Sequence, residues 1–387
     1  MSASNDCPVS LLHHFTDLKD PRSERTRLHG LLDMVGLTLC AVVSGADAWT
    51  EVEAYGNEKC EWLETFLDLP EGIPSHDTLG RVFDALDPEA FQQCFLNWMQ
   101  AVVGASHGKL IAIDGKTLRR SFDTAKGKSA MHLVSAWASA NHMLLGQQAV
   151  CEKSNEITAI PELLQMLDLH GALVTIDAMG CQKKICADIV AGGGDYVLAV
   201  KENQPSLHAD VQQVFLDGLE EDFEGLEHGY HHTTTKAHGR TERRHYHQVK
   251  VPKELAAKHS EFAKLRTLGM VYSERQVGDG PVASETRFYI SSKELNVRTF
   301  AHAVRSHWSI ENNLHWVLDV AFQEDACRVR KDHAPANFGL IRRIALTLLK
   351  RAPNPRKVGI ACRRKNAGWN DDYLVRVLAT NPEQSFF

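Results

Sequence analysis

The first hundred residues carry apolar side chains three or four positions apart, which is the spacing of amphipathic helices. The pattern runs through LLDMVGLTLCAVVSG, WTEVEAYGNEKCEWLETFL and SHDTLGRVFDALDPEAFQQCFLNWMQAVV, with breaks at Gly72, Pro74 and Asp87-Pro88. We therefore predict an all-helical N-terminal domain over residues 1–104. The two helices on either side of Pro88 could form a DNA-reading pair, although such pairs more often serve packing alone.

After Gly104 the pattern changes to short apolar runs that are typical of strands. Three strands are predicted at KLIAID (109–114), AMHLVSAWASA (130–140) and MLLGQQAVCE (143–152), the last two joined by a turn at Asn141-His142. They are followed by a helix in EITAIPELLQMLDL, a strand ALVTID (172–177), a helix in CQKKICADIVAGGG and a strand DYVLAV (195–200). A hairpin followed by crossover helices predicts a mixed sheet with helices packed on its faces, which is the strand order of the RNase H-like fold.

The rest of the chain completes this predicted α/β domain over residues 105–330. Alternating stretches at RRHYHQVKV, RTLGMVYSERQ and TRFYISS predict a β-rich insertion at about 201–290. From Val297 to Phe322 a segment without Pro or Gly has helical spacing and supplies the last helix that the sheet needs. We predict a basic helical C-terminal segment over residues 331–387.

Composition narrows the class of protein. With 43% hydrophobic and 24% charged residues, the 387-residue chain is typical of a globular protein of two or three units, not of a disordered chain or a coiled coil. No apolar run reaches a membrane span, and the polar start lacks the pattern of a signal peptide. The nine scattered cysteines include no Cys-x-x-Cys pair. We therefore predict a cytoplasmic protein with no membrane partner.

The net charge of −6 hides an asymmetry along the chain. Residues 326–387 hold 13 Lys and Arg against four Asp and Glu. Because screening removes charge effects beyond about 8–10 Å, only such a local surface matters to a polyanion. The segment is a candidate phosphate-binding face. The plainer interpretation is a solvated helix surface, with Arg342, Arg343, Lys350 and Arg351 opposite an apolar stripe.

Two acids follow predicted neighbouring strands. Asp114 ends the first strand and Asp177 the fourth, and these strands are parallel neighbours in the predicted sheet, so the two carboxylates should converge at one edge. Like charges that close repel, and a divalent cation would relieve the repulsion. Mg²⁺ prefers such hard oxygen ligands. Lys116, Arg119 and Arg120 follow Asp114 and could neutralise phosphates nearby.

A third acid is expected from the last helix. Glu311 borders the apolar stripe that faces the sheet, with His307 and His315 four residues away on either side, and Asp319 is the fallback ligand. Alone, an acid that closes a strand is as often a helix cap or turn residue, and a lone helical Glu is usually solvated. The combination of the three favours a catalytic site.

Other groups give weaker signals. The cluster His228, His231, His232, His238, His245 and His247 matches no compact zinc pattern, and DNA contact or a polar strand face is the better interpretation. AGGGDY lacks the Gly-Lys-Ser/Thr of a phosphate loop, and the chain has no Gly-x-Ser-x-Gly elbow.

Several strings in order resemble one family. IDGKTLRRS, TIDAMGCQKKI, GGGDYVLAVKENQP, HGRTERR and RSHWSIENNLHWVLDVAFQED resemble the ISAs-type insertion-sequence transposases and their H-repeat-associated relatives, over nearly the whole chain. The resemblance implies a DDE transposase with an RNase H-like core and two Mg²⁺ ions, with Mn²⁺ as a substitute. Its catalytic and metal-binding acids map to Asp114, Asp177 and Glu311. It also implies a homodimer on DNA.

One motif departs from the wider superfamily, in which a Tyr, an Arg and a Lys accompany the glutamate. Those positions hold Val304, His307 and Leu318 here. The ISAs-type His-Trp-x-Ile-Glu-Asn variant implies that His307 contacts phosphate in place of the arginine.

The sequence thus predicts a transposase that cleaves and joins double-stranded DNA by two-metal phosphoryl transfer, in the cytoplasm at the nucleoid, with no small-molecule cofactor. The suggested DNA contacts are Lys116, Arg119, Arg120, Lys201, Arg240, Arg243 and His307. A catalytically inactive, domesticated transposase that only binds DNA is the alternative, and a nuclease that cuts without joining is a second one.

Overall fold

The computed structural model describes residues 10–103, 110–122, 130–139, 143–150, 156–237 and 239–379. The chain begins with helices. They are α1 (Leu31–Val43), α2 (Trp49–Glu58), α3 (Cys60–Leu63), α4 (His76–Ala85) and α5 (Pro88–Val103). Ser75 caps α4, since its hydroxyl accepts from the Thr78 amide at 3.3 Å. The predicted turn at Asn141-His142 lies outside the described residues.

A nine-stranded mixed sheet forms the centre of the molecule, in the order β3-β2-β1-β4-β5-β9-β8-β7-β6. Its first five strands are β1 (Leu110–Thr117), β2 (His132–Ala138), β3 (Met143–Val150), β4 (Leu173–Ile176) and β5 (Asp195–Val200). Strand β4 pairs parallel with both β1 and β5, whereas β1, β2 and β3 pair antiparallel. The predicted mixed sheet and its flanking helices are confirmed.

The 201–290 segment lengthens this sheet. It contains α8 (Pro205–Glu220), β6 (His228–Ala237), β7 (Arg240–Lys250), α9 (Lys253–Lys258), β8 (Thr267–Val277) and β9 (Ala283–Ser291). Strand β9 pairs antiparallel with β5, so the added strands continue the central sheet. Strand β6 was not among the predicted strands, because its run of His and Thr carries little apolar alternation.

Helices cover both faces of the sheet. On one face, α6 (Glu156–Gln165), α7 (Lys183–Ala191) and α8 share a hydrophobic core with Ile111 and Ile113 of β1. The other face holds α10 (Val297–Ile310), a π-helical turn (Glu311–His315) and α11 (Trp316–Phe322), which pack with Ala112. Because β-strand side chains alternate, Asp114 and Lys116 lie on the same face as Ala112 and the last helix.

The C-terminal helices join the N-terminal ones in a single core. They are α12 (Ala334–Arg351), α13 (Ile360–Trp369) and α14 (Asp371–Leu378), and their apolar residues pack with those of α1 and α5. The predicted division at residues 104 and 330 stays a prediction. Among the helices that the structure describes, none has the length and apolar character to cross a membrane.

This packing removes four cations from the predicted basic, phosphate-binding C-terminal face. That face stays a prediction for the exposed cations Arg328, Lys331, Arg356, Lys357, Lys365 and Arg376. Arg342, Arg343, Arg363 and Arg364 are all at most 4% exposed. Arg364 donates to the Val42 carbonyl at 2.8 Å and the Ala46 carbonyl at 3.0 Å, which satisfies acceptors at the end of α1. These guanidinium groups therefore hold helices together instead of facing a polyanion, and they are not a solvated surface either.

Candidate active site

Two strands bring Asp114 and Asp177 to the same edge of the sheet. The parallel ladder of β1 and β4 ends at the pair Ile113 and Ile176, and each acid is the next residue. Asp177 follows β4, as predicted, and its carboxylate accepts from the Met179 amide at 3.0 Å. Asp114 was predicted to end its strand, and this is wrong, because β1 continues to Thr117 against β2. It lies where the parallel neighbour stops, which leaves its carboxylate beside an open edge.

Gly115 fixes the strand behind Asp114. A Cβ at this position would collide with the side chains of His132 and Glu156, a buried pair on the opposite face of the sheet. Only glycine permits this close approach. The glycine thus serves packing behind the acid.

The last helix widens where it carries the third acid. Residues Glu311–His315 form a π-helical turn between α10 and α11. A widened turn leaves a carbonyl without its usual helical partner, and Lys350 of α12 donates to the Asn313 carbonyl at 2.8 Å. Such turns are frequent at functional sites. The sequence predicts an unbroken helix here. It carries no local signal for the π-helical turn, because that turn depends on tertiary contacts.

Asp114, Glu311 and His315 form a compact group. One ligand atom from each lies within 4.8 Å of those of the other two. His315 Nδ1 is 3.4 Å from Asp114 Oδ2 and 3.6 Å from Glu311 Oε2. His315 is buried, Asp114 is 16% exposed and Glu311 is about half exposed. Asp177 is outside this group but lines the same cavity, of about 290 Å³. We call these four residues the acid site.

Burial and repulsion perturb the acid site. Burial raises the pKa of Asp114 well above its ordinary value, and the charges of Glu311 and Asp177 raise it further. A hydrogen bond from His315 lowers the pKa of Glu311. The two carboxyl groups therefore titrate as a pair, in which Asp114 keeps a proton after Glu311 has lost its own. Surplus negative charge of this kind is what a cation would neutralise.

His307 lines the same cavity as the acids. Its Nδ1 lies 3.1 Å from the Thr175 hydroxyl oxygen. Burial lowers its pKa, so the ring is neutral at pH 7, although Asp177 and Glu311 oppose the shift. It can therefore offer a hydrogen bond to a phosphate but not a full positive charge.

Lys116 lies two residues beyond Asp114 on the same face, but it does not face solvent. It is 9% exposed, its ammonium group contacts Asp319, and it lies 3.4 Å from both Glu324 and Asp325. This burial contradicts the prediction that Lys116 contacts DNA. The same contact removes Asp319 as a fallback metal ligand, because its carboxylate is neutralised by an ammonium group.

Arg343 completes this second group of charges. Its Nη1 donates to Glu324 Oε1 at 2.7 Å, and both side chains are fully buried. Burial alone would raise the pKa of Glu324, but the charges of Arg343 and Lys116 outweigh it and hold the pKa at about 2. We call Lys116, Asp319, Glu324, Asp325 and Arg343 the Lys116 cluster.

The other predicted DNA contacts lie at several places on the surface. Lys201 is exposed and lines the cavity of the acid site. Arg119 is 78% exposed and pairs with Asp325 at 3.2 Å, and Arg120 is exposed beside it. Arg240 and Arg243 lie on β7, on opposite faces of the sheet, with Glu242 and Glu274 as their partners.

The histidine-rich strands form a stack of rings on one face of β6 and β7. Tyr230, His232 and His245 have ring centroids about 6 Å apart, and Phe223 lies 3.7 Å from His228. Burial lowers the pKa of His247 to about 4. Among the described residues, the only group of His, Cys, Asp and Glu side chains with metal-binding geometry is Asp114, Glu311 and His315. His238 lies outside those residues.

His315 is the member of the acid site that sequence reasoning did not assign. It was placed on the face of Glu311, yet not given a role. Its Nε2 is buried without a hydrogen-bond partner among the described residues. Its i+4 spacing from Glu311 was the only signal in the sequence. That spacing places His315 beside Glu311, but it does not show that the helix packs against Asp114.

Comparisons with known proteins cover nearly the whole chain. Residues 105–348 match the family model described as "Transposase DDE domain", and residues 12–99 match "DDE_Tnp_1-associated". The chain is 42% identical to "Putative transposase YncI" of Escherichia coli O157:H7, over 97% of this chain and 96% of that protein. It is 39% identical to "H repeat-associated putative transposase YhhI" of Escherichia coli K12, over 95% and 97%.

Solved structures also match, and one of them is described as a piggyBac transposase complex. A piggyBac transposase in a synaptic complex with hairpin DNA aligns with 96% of this chain and 78% of its own, at a TM-score of 0.41 and 9% identity.

Proposed function

Because the chain belongs to the transposase DDE-domain family, we propose that it is a DNA transposase that cleaves and joins DNA strands at the acid site. The observation that carries the proposal is the meeting of Asp114 and Glu311, 197 positions apart in the sequence, beside Asp177 in one cavity. The strand order β3-β2-β1-β4-β5, antiparallel and then parallel, supports an RNase H-like core.

The donor set fits divalent cations. Asp114, Asp177 and Glu311 offer carboxylate oxygens, the ligands that Mg²⁺ prefers, and Mn²⁺ also accepts a nitrogen such as His315 Nδ1. The raised pKa of Asp114 supports the fit, since the described side chains around it include no Lys or Arg partner. Two bound Mg²⁺ ions would activate the attacking oxygen and stabilise the leaving one in an in-line displacement.

The protein's own residues position the reactants. Asp177 is held by the amides of the turn that follows it, so its carboxylate enters the cavity in a fixed orientation. His307 and Lys201 line the cavity, where a neutral donor and a cation suit the non-bridging oxygens of a phosphate. Cleavage breaks the bond from phosphorus to a DNA 3′-oxygen with water as nucleophile. Joining breaks the same kind of bond in a second DNA strand, with the freed 3′-hydroxyl in place of water as the nucleophile.

DNA contacts by Arg119, Arg120, Lys201, Arg240, Arg243 and His307 remain part of this proposal, as does the homodimer on DNA. Exposed guanidinium groups suit phosphate contact, and their binding should weaken with salt. Lys116 is left out, because it is buried among acids.

The test uses purified protein, its element's flanking DNA and Mg²⁺ or Mn²⁺, with nicking and strand joining scored separately. Asp114→Ala, Asp177→Ala and Glu311→Ala should each reduce nicking by at least about 10²–10³-fold, the scale for losing a group that stabilises transition-state charge. DNA binding should persist. Asp279→Ala, at an exposed turn, is the control and should nick like the wild type.

Three results are decisive. Full nicking by any of the three variants would contradict the triad. Binding without nicking by the wild type would favour the inactive, DNA-binding alternative. Nicking without joining would favour a nuclease.

A further inference from the structure

A second cavity, of about 490 Å³, lies between α10 and the added strands β7, β8 and β9. Five arginines line it, Arg240, Arg244, Arg275, Arg287 and Arg305, against the carboxylates of Glu242 and Glu285. Glu274 also borders the cavity, but its side chain lies on the opposite face of the sheet. We call it the arginine groove. In a chain of net charge −6, this is a local excess of positive charge.

Strand alternation selects which arginines face the groove. Arg240 and Arg244 of β7 share a face with Arg275 of β8, because Arg275 is paired with Glu242, midway between them. Arg243, although adjacent in sequence to Arg244, points to the opposite face, where it pairs with Glu274 at 3.8 Å. The basic string of β7 is therefore divided between two surfaces, and only one of them faces α10.

The arginines differ in how far they are neutralised. Arg240 pairs with Glu242 at 2.8 Å, and Arg287 pairs with Glu285 at 2.8 Å. Among the described residues, no carboxylate lies within 4.0 Å of the guanidinium groups of Arg275 or Arg305, and both side chains are exposed. These two guanidinium groups are therefore less closely compensated than those of Arg240 and Arg287, although the charge of Arg305 acts on Glu242 from a longer distance.

The groove continues directly into the cavity of the acid site. The two share Glu285, Arg287, Tyr289 and Trp308 as a common wall. Trp308 is 41% exposed, lies three residues before Glu311, and has the Arg287 guanidinium 4.7 Å from its ring centroid. A polymer bound at the acid site could therefore extend into the groove without leaving the surface.

We propose that the arginine groove binds the phosphodiester backbone of the DNA strand that continues past the scissile phosphate. This rests on the proposed function, which puts the scissile phosphate at the acid site. Guanidinium groups pair with phosphate oxygens through two parallel hydrogen bonds, and such contacts position the strand without reading its sequence. Arg275 and Arg305 make the contacts, and the paired arginines shape the floor.

The experiment measures how the affinity for a fluorescently labelled duplex oligonucleotide depends on salt, by anisotropy in EDTA, from about 50 to 200 mM. Each phosphate contact contributes about 0.9 to the slope of log K against log salt. The double variant Arg275→Gln and Arg305→Gln should lower this slope by about two and weaken binding at every salt concentration. Lysines at both positions should restore most of the slope. Arg266→Gln, which removes an exposed arginine at the other end of β8 from Arg275, is the matched control and should leave the slope unchanged.

Three outcomes would overturn the proposal: an unchanged slope in the double glutamine variant, an equal loss in Arg266→Gln, or no DNA binding by the wild type. Thermal unfolding of each variant identifies a loss caused by misfolding. In that case the lysine variant decides, since the proposal requires it to restore most of the wild-type slope. If the wild type nicks and joins DNA while the double glutamine variant keeps the wild-type salt slope, the proposed function is supported and the DNA-binding role of the arginine groove is excluded.

Discussion

The acid site and the Lys116 cluster are built on the same strand and the same helix, yet their charges are arranged in opposite ways. Asp114 and Lys116 are two residues apart on one face of β1, and Glu311 and Asp319 are two turns apart on the helix that covers it. In the Lys116 cluster every acid has a Lys or Arg partner. Among the described residues the carboxylates of the acid site have no Lys or Arg ion-pair partner. Asp114 and Glu311 lie beside His315, and Asp177 accepts from backbone amides.

This difference teaches which acids are structural. A buried carboxylate with a buried cation is neutral as a pair, and its role is to fix how β1, the last helix and α12 sit together. Carboxylates gathered without such cations raise the energy of the folded protein, and they persist where a ligand neutralises them. The Lys116 cluster therefore holds the helix in place, and the acid site uses that placement.

The largest expected effect comes from breaking the buried ion pair between Arg343 and Glu324 in the Lys116 cluster. Arg343→Met leaves Glu324 buried with only Lys116, at 3.4 Å, and should lower the free energy of unfolding by about 3–5 kcal/mol. Urea denaturation measures it. The double variant with Glu324→Gln removes the stranded charge and should recover most of the loss. A loss below about 1 kcal/mol would mean that the pair is not a structural constraint.

A smaller effect is expected from the histidine of the acid site. His315→Ala should weaken Mn²⁺ binding by about 10–100-fold, whether Nδ1 binds the cation or orients the two carboxylates. Isothermal titration of the purified protein measures it. His302→Ala removes an exposed histidine from the same helix and should bind Mn²⁺ like the wild type. Equal affinities in all three proteins would exclude His315 from the site.

The smallest expected effect is on the pH dependence of the free energy of unfolding, to which Asp114 and Glu324 contribute with opposite signs. The folded protein raises the pKa of Asp114, so its contribution to stability is present below the ordinary Asp value and is lost as pH rises through the raised one. Glu324 has a lowered pKa, of about 2, so its contribution is present above the ordinary Glu value and is lost as pH falls towards 2.

Variants separate the two contributions. In metal-free protein, Asp114→Asn should raise the free energy of unfolding at neutral pH, because it removes a carboxyl group whose ionisation the folded protein opposes. Glu324→Gln should instead lower it there and flatten its acid dependence. Denaturant titrations from acid to neutral pH measure both. A destabilised Asp114→Asn protein would show that the acids are already compensated.

Local patterns were enough to predict much of the scaffold. The strands around Asp114 and Asp177 and the crossover helices between them follow from apolar runs and from the rule that places parallel strands side by side. The fold around those acids is therefore encoded within about a hundred residues of sequence. Glu311 lies far along the chain, and its predicted position relied on the apolar stripe of its own helix.

Several of the errors concern contacts between distant segments, whereas strand β6 was missed because its own sequence carries little apolar alternation. Lys116 and the arginines of α12 and α13 have the composition of a phosphate-binding surface, but they are buried by helices about 200 to 320 positions away. Local spacing cannot tell a solvated cation from one that pairs with a distant acid. The π-helical turn was missed for the same reason, because its support comes from Lys350 of the separate helix α12.

The most direct test of the account is an anomalous difference map from crystals soaked in Mn²⁺. We expect a peak bounded by the carboxylates of Asp114 and Glu311, next to His315 and on the side of Asp177, with none inside the Lys116 cluster. No peak among the acids at a Mn²⁺ concentration that supports nicking, or a peak beside Glu324 and Asp325 instead, would contradict the claim that the uncompensated carboxylates form the metal site.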